Sequence, residues 1–238
     1  MWLFHKTTIL SRSGIFKGLV DCHSHLLPGV DDGVQSMEES LQILREMEQQ
    51  EVRRLWLTPH VMEDIPNETS QLQQKFQELR HRYRGMLELR LAAEYMLDNL
   101  FEERLEKEDL LPLEEGKCFL LVETSYFNPP MDLLSVLQRI QKKGYYPLLA
   151  HPERYEYMQK EDYKVLKEGH VLFQLNLPSL AGMYGKRVQG KAEWILRNGM
   201  YDRMGCDTHS CHRYQQMLLS PIKHNQTKLL DELNTNIL

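Results

Sequence analysis

Cysteine is scarce in this chain, with four residues in 238: Cys22, Cys118, Cys206 and Cys211. No two form a CxxC pair, so a zinc knuckle of that type is excluded, and so sparse a set without an export signal is expected to stay reduced. None of the four has an arginine six positions later; the residues there are Pro28, Thr124, His212 and Met217. That removes cysteine-based phosphatase chemistry, which needs a thiolate nucleophile below a phosphate nest closed by an arginine. Long apolar runs are also missing. The opening MWLFHKTTILSRSGIFKGLV is interrupted by His5, Lys6, Arg12 and Lys17 before it reaches signal-peptide length, and no later stretch approaches a spanning helix. The expectation is a cytoplasmic protein with no membrane insertion. Positive charge is not in excess, since 29 Lys and Arg against 34 Asp and Glu leave a formal charge of -5, so the concentrated basic face of a nucleic-acid binder is not indicated. No glycine-rich dinucleotide loop follows the first strand, and no GxxxxGKS occurs.

Short apolar or β-branched runs instead alternate with amphipathic stretches. Strands are predicted at residues 16–23, 53–60, 87–94, 117–124, 145–152, 169–176 and 201–209, and helices at 36–50, 68–84, 98–107, 131–144 and 190–199. Ser36 is placed as the N-cap of the first helix, with Glu39 completing a capping box. The last segment, IKHNQTKLLDELNTNIL, reads as a helix whose Leu229, Leu230 and Leu233 pack on the body. Repeated βα units without hairpin signals predict a parallel sheet covered by helices, either open or closed into a barrel. Residues 1–17 read as an N-terminal extension and 18–238 as one domain.

The strand ends carry the chemistry. The first ends in His23 and His25, two residues apart and therefore on one side of an extended chain. The next four end in His60, Glu94, Glu123 and His151, the sixth in Asn176, and the last in Asp207 and His209. Any one of these alone reads as a structural histidine or a solvated acid, and His5, His81, His170, His212 and His224, which lack this placement, are left as structural or surface residues. A shared rim changes the weighing: carboxylates packed together raise one another's pKa values, and divalent cations relieve this while accepting neutral imidazole and ionised carboxylate as ligands. Four carboxylates around three such ions would leave about two net positive charges, a field suited to an anionic phosphoester, and paired ions suit in-line hydrolysis of one.

DCHSHLLPGVDDG, TPH, AAEYML, LVETSY, LAHPERY and GCDTH, in that order, resemble the polymerase-and-histidinol-phosphatase (PHP) superfamily, and more narrowly its bacterial tyrosine-protein phosphatases encoded with capsule and exopolysaccharide genes. The resemblance spans roughly residues 18–220. It implies a distorted (β/α)7 TIM-like barrel of the PHP type with three divalent metal ions, usually manganese, although iron, cobalt or zinc would suit the same ligands. His23, His25, Glu94 and Asp207 would hold the first ion; Glu94 as bridge, with Glu123 and His151, the second; and Asp32, His60 and His209 the third. Asp31 would orient the loop or a neighbouring ligand, and Pro28, Gly29 and Gly33 would shape it. Arg154 resembles the family arginine that contacts phosphate. Arg213 stands near a second such position and reads equally as an exposed helix residue.

The function so implied is hydrolysis of phosphotyrosine by direct attack of a metal-bound hydroxide, with Glu94, Arg154 and Arg213 as the catalytic set and the tail of a bacterial tyrosine kinase as partner. Two alternatives stay open: a small-molecule phosphomonoesterase such as histidinol-phosphate phosphatase, and a non-catalytic metal-stabilised scaffold that binds phosphoproteins. Tyr126, Phe127 and Tyr155 could stack on a substrate ring or pack in the core. The oligomeric state is not legible.

Overall fold

Why the strands read as continuous apolar runs is clear from the computed structural model, which describes residues 6–114 and 117–235: both faces of the main sheet are covered. The chain runs β1 (Thr7–Ile9), β2 (Val20–Asp21), α1 (Met37–Gln49), β3 (Arg54–Leu57), β4 (His60–Val61), α2 (Thr69–Arg82), β5 (Glu88–Leu91), β6 (Glu94–Met96), α3 (Asn99–Lys107), β7 (Leu113–Glu114) and β8 (Cys118–Glu123). It continues through α4 (Leu133–Lys142), β9 (Tyr146–Ala150), α5 (Lys160–Glu168), β10 (Leu172–Asn176), α6 (Leu177–Leu180), α7 (Gly185–Arg197), β11 (Arg203–Gly205), α8 (Cys211–Leu219), β12 (Pro221–Lys223) and α9 (His224–Thr235). Along β8, Leu120 and Val122 join the large cluster under the helices, while Phe119 and Leu121 join a smaller cluster with Val20, Trp56, Ala92, Leu148 and Ala150 on the other face. Alternate side chains thus feed two cores, as the period of a strand requires.

The fold is mixed α/β with parallel sheets. One runs β11-β10-β9-β8-β6-β4, with β7 antiparallel on β8; a second is β2-β3-β5. Register places functional positions directly: His60 stands beside Glu94, and Met96 pairs with Glu123. Beyond β2 the chain stays tied to the segment after β11, through Cys22 N donating to Met204 O at 3.2 Å, His25 N to Thr208 O at 3.0 Å, and a parallel bridge between Ser24 and Thr208.

Several local expectations need correction. The strand predicted at 16–23 pairs only over Val20–Asp21, because residues 16–18 turn: Leu19 N donates to Phe16 O, and Phe16 is buried. The strands predicted at 53–60 and 87–94 each break in two. Pro59 lacks the N–H a central ladder needs, and the pairing passes from β3–β5 to β4–β6, with Glu94 N donating to Pro59 O at 3.0 Å. The strand predicted at 201–209 pairs over Arg203–Gly205. Ser36 Oγ does accept from Glu39 N, but the Glu39 carboxylate accepts from Cys211 N at 2.9 Å instead of closing a box. Helices α5, α6 and α8 lie where none was predicted. In the C-terminal segment, Ile222 and Lys223 form a strand against β1 rather than helix, and α9 then buries Leu230 and Leu233 with Leu229 partly covered. Residues 1–5, including His5, and 236–238 lie outside the described residues; of the predicted extension, Leu10, Ile15 and Phe16 are core. Among the described residues no helix is long and apolar enough to cross a membrane.

Candidate metal centre

Six strand ends deliver their polar residues to one point. His23 and His25 follow β2, His60 opens β4, Glu94 opens β6, Glu123 closes β8, His151 follows β9, and Asp207 and His209 follow β11. His23, His25 and Glu94 are wholly buried, and His151, Glu123 and Asp207 nearly so. His151 (φ 35°) and Asp207 (φ 49°) adopt left-handed backbone, which a non-glycine residue holds only when its surroundings enforce it. Here Asp207 N donates to His23 O at 2.8 Å and His151 N to Gln174 Oε1 at 3.2 Å.

Glu94 is the hub. Its Oε2 lies 3.1 Å from His23 Nε2, 3.3 Å from His25 Nε2 and 3.2 Å from His60 Nδ1, and its Oε1 lies 3.1 Å from His151 Nε2. His60 Nδ1 is also 3.1 Å from Glu123 Oε1. Asp207 Oδ1 stands 3.6, 3.4 and 3.3 Å from His23, His25 and His209. Asp32 Oδ1 is 3.5 Å from both His60 Nε2 and His209 Nε2. Donors at 2.0–2.2 Å from one ion, separated by right to tetrahedral angles, lie roughly 2.8–3.6 Å apart, so these spacings suit shared ligation.

The donor atoms group as His25, Asp32, His60 and His209; His23, His25 and Asp207; His23, Glu94 and His151; and His60, Glu94 and Glu123. All nine residues singled out as ligands are therefore brought together, but the grouping is more interleaved than the implied three sets. His25 joins the Asp32 group, and His60 rather than His151 stands nearest Glu123, from which His151 Nε2 is 3.8 Å away. A further observation fits a divalent cation: His60 Nδ1 is buried and makes no well-aligned hydrogen bond although Glu94 Oε2 and Glu123 Oε1 lie 3.2 and 3.1 Å away, and a buried polar atom left unmatched costs about 1–3 kcal/mol.

Electrostatics agree. Burial disfavours a charged His23, yet attraction to Glu94 and then Asp207 outweighs it and raises its pKa to about 9. His25 is likewise driven well up, against burial, by hydrogen bonds to Asp207, Asp31 and Glu94. Burial pushes the other way on Glu94 and Asp207, but the imidazoles hold both carboxyls well below the usual range. The carboxylates thus recruit protons onto the histidines, and cations taking the protons' place would release them.

A second layer orients this set. Asp31 Oδ2 accepts from His25 Nδ1 at 2.8 Å and from His60 N at 3.1 Å, while its Oδ1 accepts from Gly33 N at 2.9 Å. Asp31 thus bonds both a candidate ligand and the loop beside it, while Asp32 faces the cavity. Gln174 Oε1 meets His23 Nδ1 at 3.0 Å, and Asn176 Nδ2 donates to Asp207 Oδ2 at 2.7 Å. The sequence reading missed Gln174; the available signal was one amide inside the apolar run VLFQLN. Two glycines press on the His-x-His pair. A Cβ on Gly33 would stand 2.2 Å from His25 O, and one on Gly205 2.6 Å from His23 Cβ.

Arg154, in the turn after β9, donates from its NH1 to Asp207 Oδ2 at 2.8 Å and faces a cavity of about 540 Å³ with Asp32, His60, Glu94, Tyr126, Tyr184, Asp207, His209 and Arg213. Arg213 sits in the first turn of α8, exposed yet on this rim. Of the three aromatic candidates only Tyr126 lines the cavity; Tyr155 is core and Phe127 points to solvent. His81, His170, His212 and His224 are exposed and outside the cluster. A larger recess of about 1040 Å³ between α2 and β5 has no such donor group among the described residues.

Residues 19–238 match the sequence model of the family described as "Capsular polysaccharide synthesis, CpsB/CapC". The chain belongs to the CpsB/CapC family. It is 26% identical over 199 residues to the tyrosine-protein phosphatase YwqE of Bacillus subtilis, covering 81% of this chain and 78% of that one. It is 28% identical over 207 residues to the tyrosine-protein phosphatase CpsB of Streptococcus pneumoniae, covering 81% and 83%. A solved structure from work on YwqE and CpsB, described there as unique metal-dependent tyrosine phosphatases, superposes with a TM-score of 0.76 at 23% identity over 90% of this chain and 87% of that one. At that identity the superposition speaks for the fold, and this CpsB/CapC chain shares it.

Proposed function

We propose that this CpsB/CapC member is a metal-dependent protein-tyrosine phosphatase that acts on a phosphotyrosine-bearing protein, the tail of a bacterial tyrosine kinase, in the cytoplasm, and so regulates capsular or exopolysaccharide synthesis. The observation that carries the reading is one buried carboxylate, Glu94, facing four imidazoles, with Arg154 fixed beside the neighbouring Asp207. In this reading residues 18–238 form the catalytic domain behind a docked extension, and the seven principal strands close into a distorted (β/α)7 barrel. Support for closure comes from the bonds joining Cys22 and His25 to Met204 and Thr208. Three ions, manganese by preference, would be held by His23, His25, Asp32, His60, Glu94, Glu123, His151, Asp207 and His209.

Bound divalent ions supply Lewis acidity toward the phosphoryl oxygens and activate water for in-line attack. The chain's own residues do the rest. Arg154 presents N–H donors to the phosphoryl group, stabilising charge that builds as the ester bond breaks. Asp207 holds Arg154 through Oδ2 while its Oδ1 faces the histidines, so anion recognition and ligation share one carboxylate. Asp31 and Gln174 fix the tautomer of His25 and His23, keeping the outer nitrogen of each ring hydrogen-bonded and the inner one free to ligate.

The test is metal analysis together with turnover of a phosphotyrosyl peptide and of histidinol phosphate. Preference for the peptide with bound metal supports the reading; preference for histidinol phosphate would move it to a small-molecule enzyme, and metal without turnover of either to a scaffold. Glu94→Ala should abolish activity and lower metal content while leaving the fold, and full activity in a clean preparation of that variant would sink the shared-ligand role.

A further inference from the structure

We propose that Tyr184 is a positioning residue: it stacks Arg154 into a fixed, cavity-facing orientation and gathers Arg213 to the same anion-binding side. The proposal rests on the phosphatase reading for its substrate, but not for its geometry. The guanidinium of Arg154 lies 4.5 Å from the ring centre of Tyr126 and 4.4 Å from that of Tyr184, two rings that both line the cavity. Arg213, from the first turn of α8, lies 5.6 Å from the same Tyr184 ring. Tyr184 is therefore a plate shared by two arginines that approach from different elements.

The sequence leaves no trace of this role, because Tyr184 stands outside every strand-end motif, in the turn between α6 and α7. That turn is held by Met183 N donating to Pro178 O at 3.0 Å and Gly185 N to Gly182 O at 3.1 Å. Behind the ring, the Tyr184 phenol interacts with the Asn176 side chain, which also donates to Asp207 Oδ2. Arg154 donates to that same oxygen. The amide and the arginine thus meet on one carboxylate, and Tyr184 contacts both of them.

A guanidinium is planar and carries its donors at its edge. With Tyr126 and Tyr184 against it, Arg154 presents N–H groups in a fixed direction. A free arginine side chain would have to be ordered when the anion binds, at a cost in affinity, whereas a stacked one is ordered beforehand. Cation–π attraction to a tyrosine face supplies the restraint without consuming a single N–H donor. That distinguishes Tyr184 from Asp207, which holds Arg154 by occupying one.

The experiment uses the metal-loaded full chain. Inorganic phosphate binding is measured by calorimetry, and kinetics with p-nitrophenyl phosphate and a phosphotyrosyl peptide. Tyr184→Ala and Tyr184→Leu should weaken phosphate binding and raise KM about tenfold, the size of a partly desolvated cation–π contact. The change in kcat should stay within about threefold, with metal content and melting temperature unchanged. Tyr184→Phe keeps the ring and should recover phosphate affinity. In an Arg154→Ala, Arg213→Ala background, Tyr184→Ala should add less than about twofold, because it acts through the two arginines. Unchanged phosphate affinity in the folded alanine and leucine variants overturns the proposal, as does a full tenfold loss on top of the Arg154→Ala, Arg213→Ala pair. If the wild type binds phosphate with this dependence on Tyr184 yet turns over neither substrate, the phosphatase reading fails and the arginine clamp stands.

Discussion

Adding one methyl group at Gly205 should be among the costlier glycine substitutions, since among the described residues only Gly33 and Gly85 meet closer atoms. A Cβ there would stand 2.6 Å from His23 Cβ, 2.9 Å from His23 N and 3.1 Å from Asp21 Oδ1, well inside van der Waals contact. None of the three can retreat easily. Asp21 Oδ1 accepts from both His23 N at 3.2 Å and Cys206 N at 3.0 Å, and His23 O accepts from Asp207 N at 2.8 Å. Overpacking of this kind costs about 1–3 kcal/mol, and at about 2–4 °C per kcal/mol for a domain of this size the melting temperature should fall by roughly 2–12 °C. Because the strain pushes on His23, the loss should extend to metal content. Gly190→Ala is the matched control: the same atoms are added in the interior of α7, where a Cβ meets nothing within 4 Å. That change should stabilise by about 0.5–1 kcal/mol through helix propensity. Thermal melts and metal analysis of the two variants side by side decide the matter. A Gly205→Ala protein that melts no lower than Gly190→Ala and keeps its metal would refute the claim that β2 and β11 are packed to the limit beneath the histidines.

Other positions make comparable claims. Asp31→Asn leaves one amide group facing donors whichever way it is turned, since both oxygens of Asp31 accept; metal affinity or activity should drop about 10–100-fold, and wild-type values for both would show that Asp31 does not orient His25. Glu153 is wholly buried, accepting from Asn176 N and Tyr201 Oη. Burial raises its pKa, so the folded state holds a proton that the unfolded chain gives up at lower pH, and its contribution to stability falls as pH rises above the ordinary glutamate value. Glu153→Gln should therefore melt close to the wild type near pH 4 and increasingly above it toward pH 8, and a constant difference across that range would contradict the assignment.

The clustered residues were legible because six of the seven predicted strands are apolar runs that stop at a histidine or acid, and parallel strands bring such ends together by their order alone. His23, His60, Glu94, Glu123, His151 and Asp207 were found that way. The breaks within strands 53–60 and 87–94 were less legible: Pro59 announces an interruption, but Ala92 and Ala93 look like any pair of strand residues, and only the change of partner from β5 to β6 shows the shift. Helices α5 and α8 were missed because each buries only two residues, Tyr163 and Leu166 or Tyr214 and Met217, too few to set up a helical period. The antiparallel pairing of β1 with β12 joins residues more than two hundred positions apart, a distance over which no local rule operates.

The same limit explains why the clustered histidines and acids were legible while Gln174 and Tyr184 behind them were not. A candidate ligand for a divalent ion in a chain without paired cysteines is most often a histidine or a carboxylate, so its residue type marks it. An orienting group needs only one acceptor, one donor or one flat face in the right place, and glutamine, asparagine and tyrosine supply these in many structural settings. Asp31 and Asp32 show the difference within two residues. Their side chains are alike, yet that of Asp31 is fully enclosed against His25 while that of Asp32 is 66% exposed toward the cavity. The loop that carries both is set by Gly29 N donating to Val34 O and Val34 N to His25 O. Which aspartate is enclosed against His25 and which faces the cavity is thus decided by backbone hydrogen bonds to residues on either side, not by a difference between the two side chains.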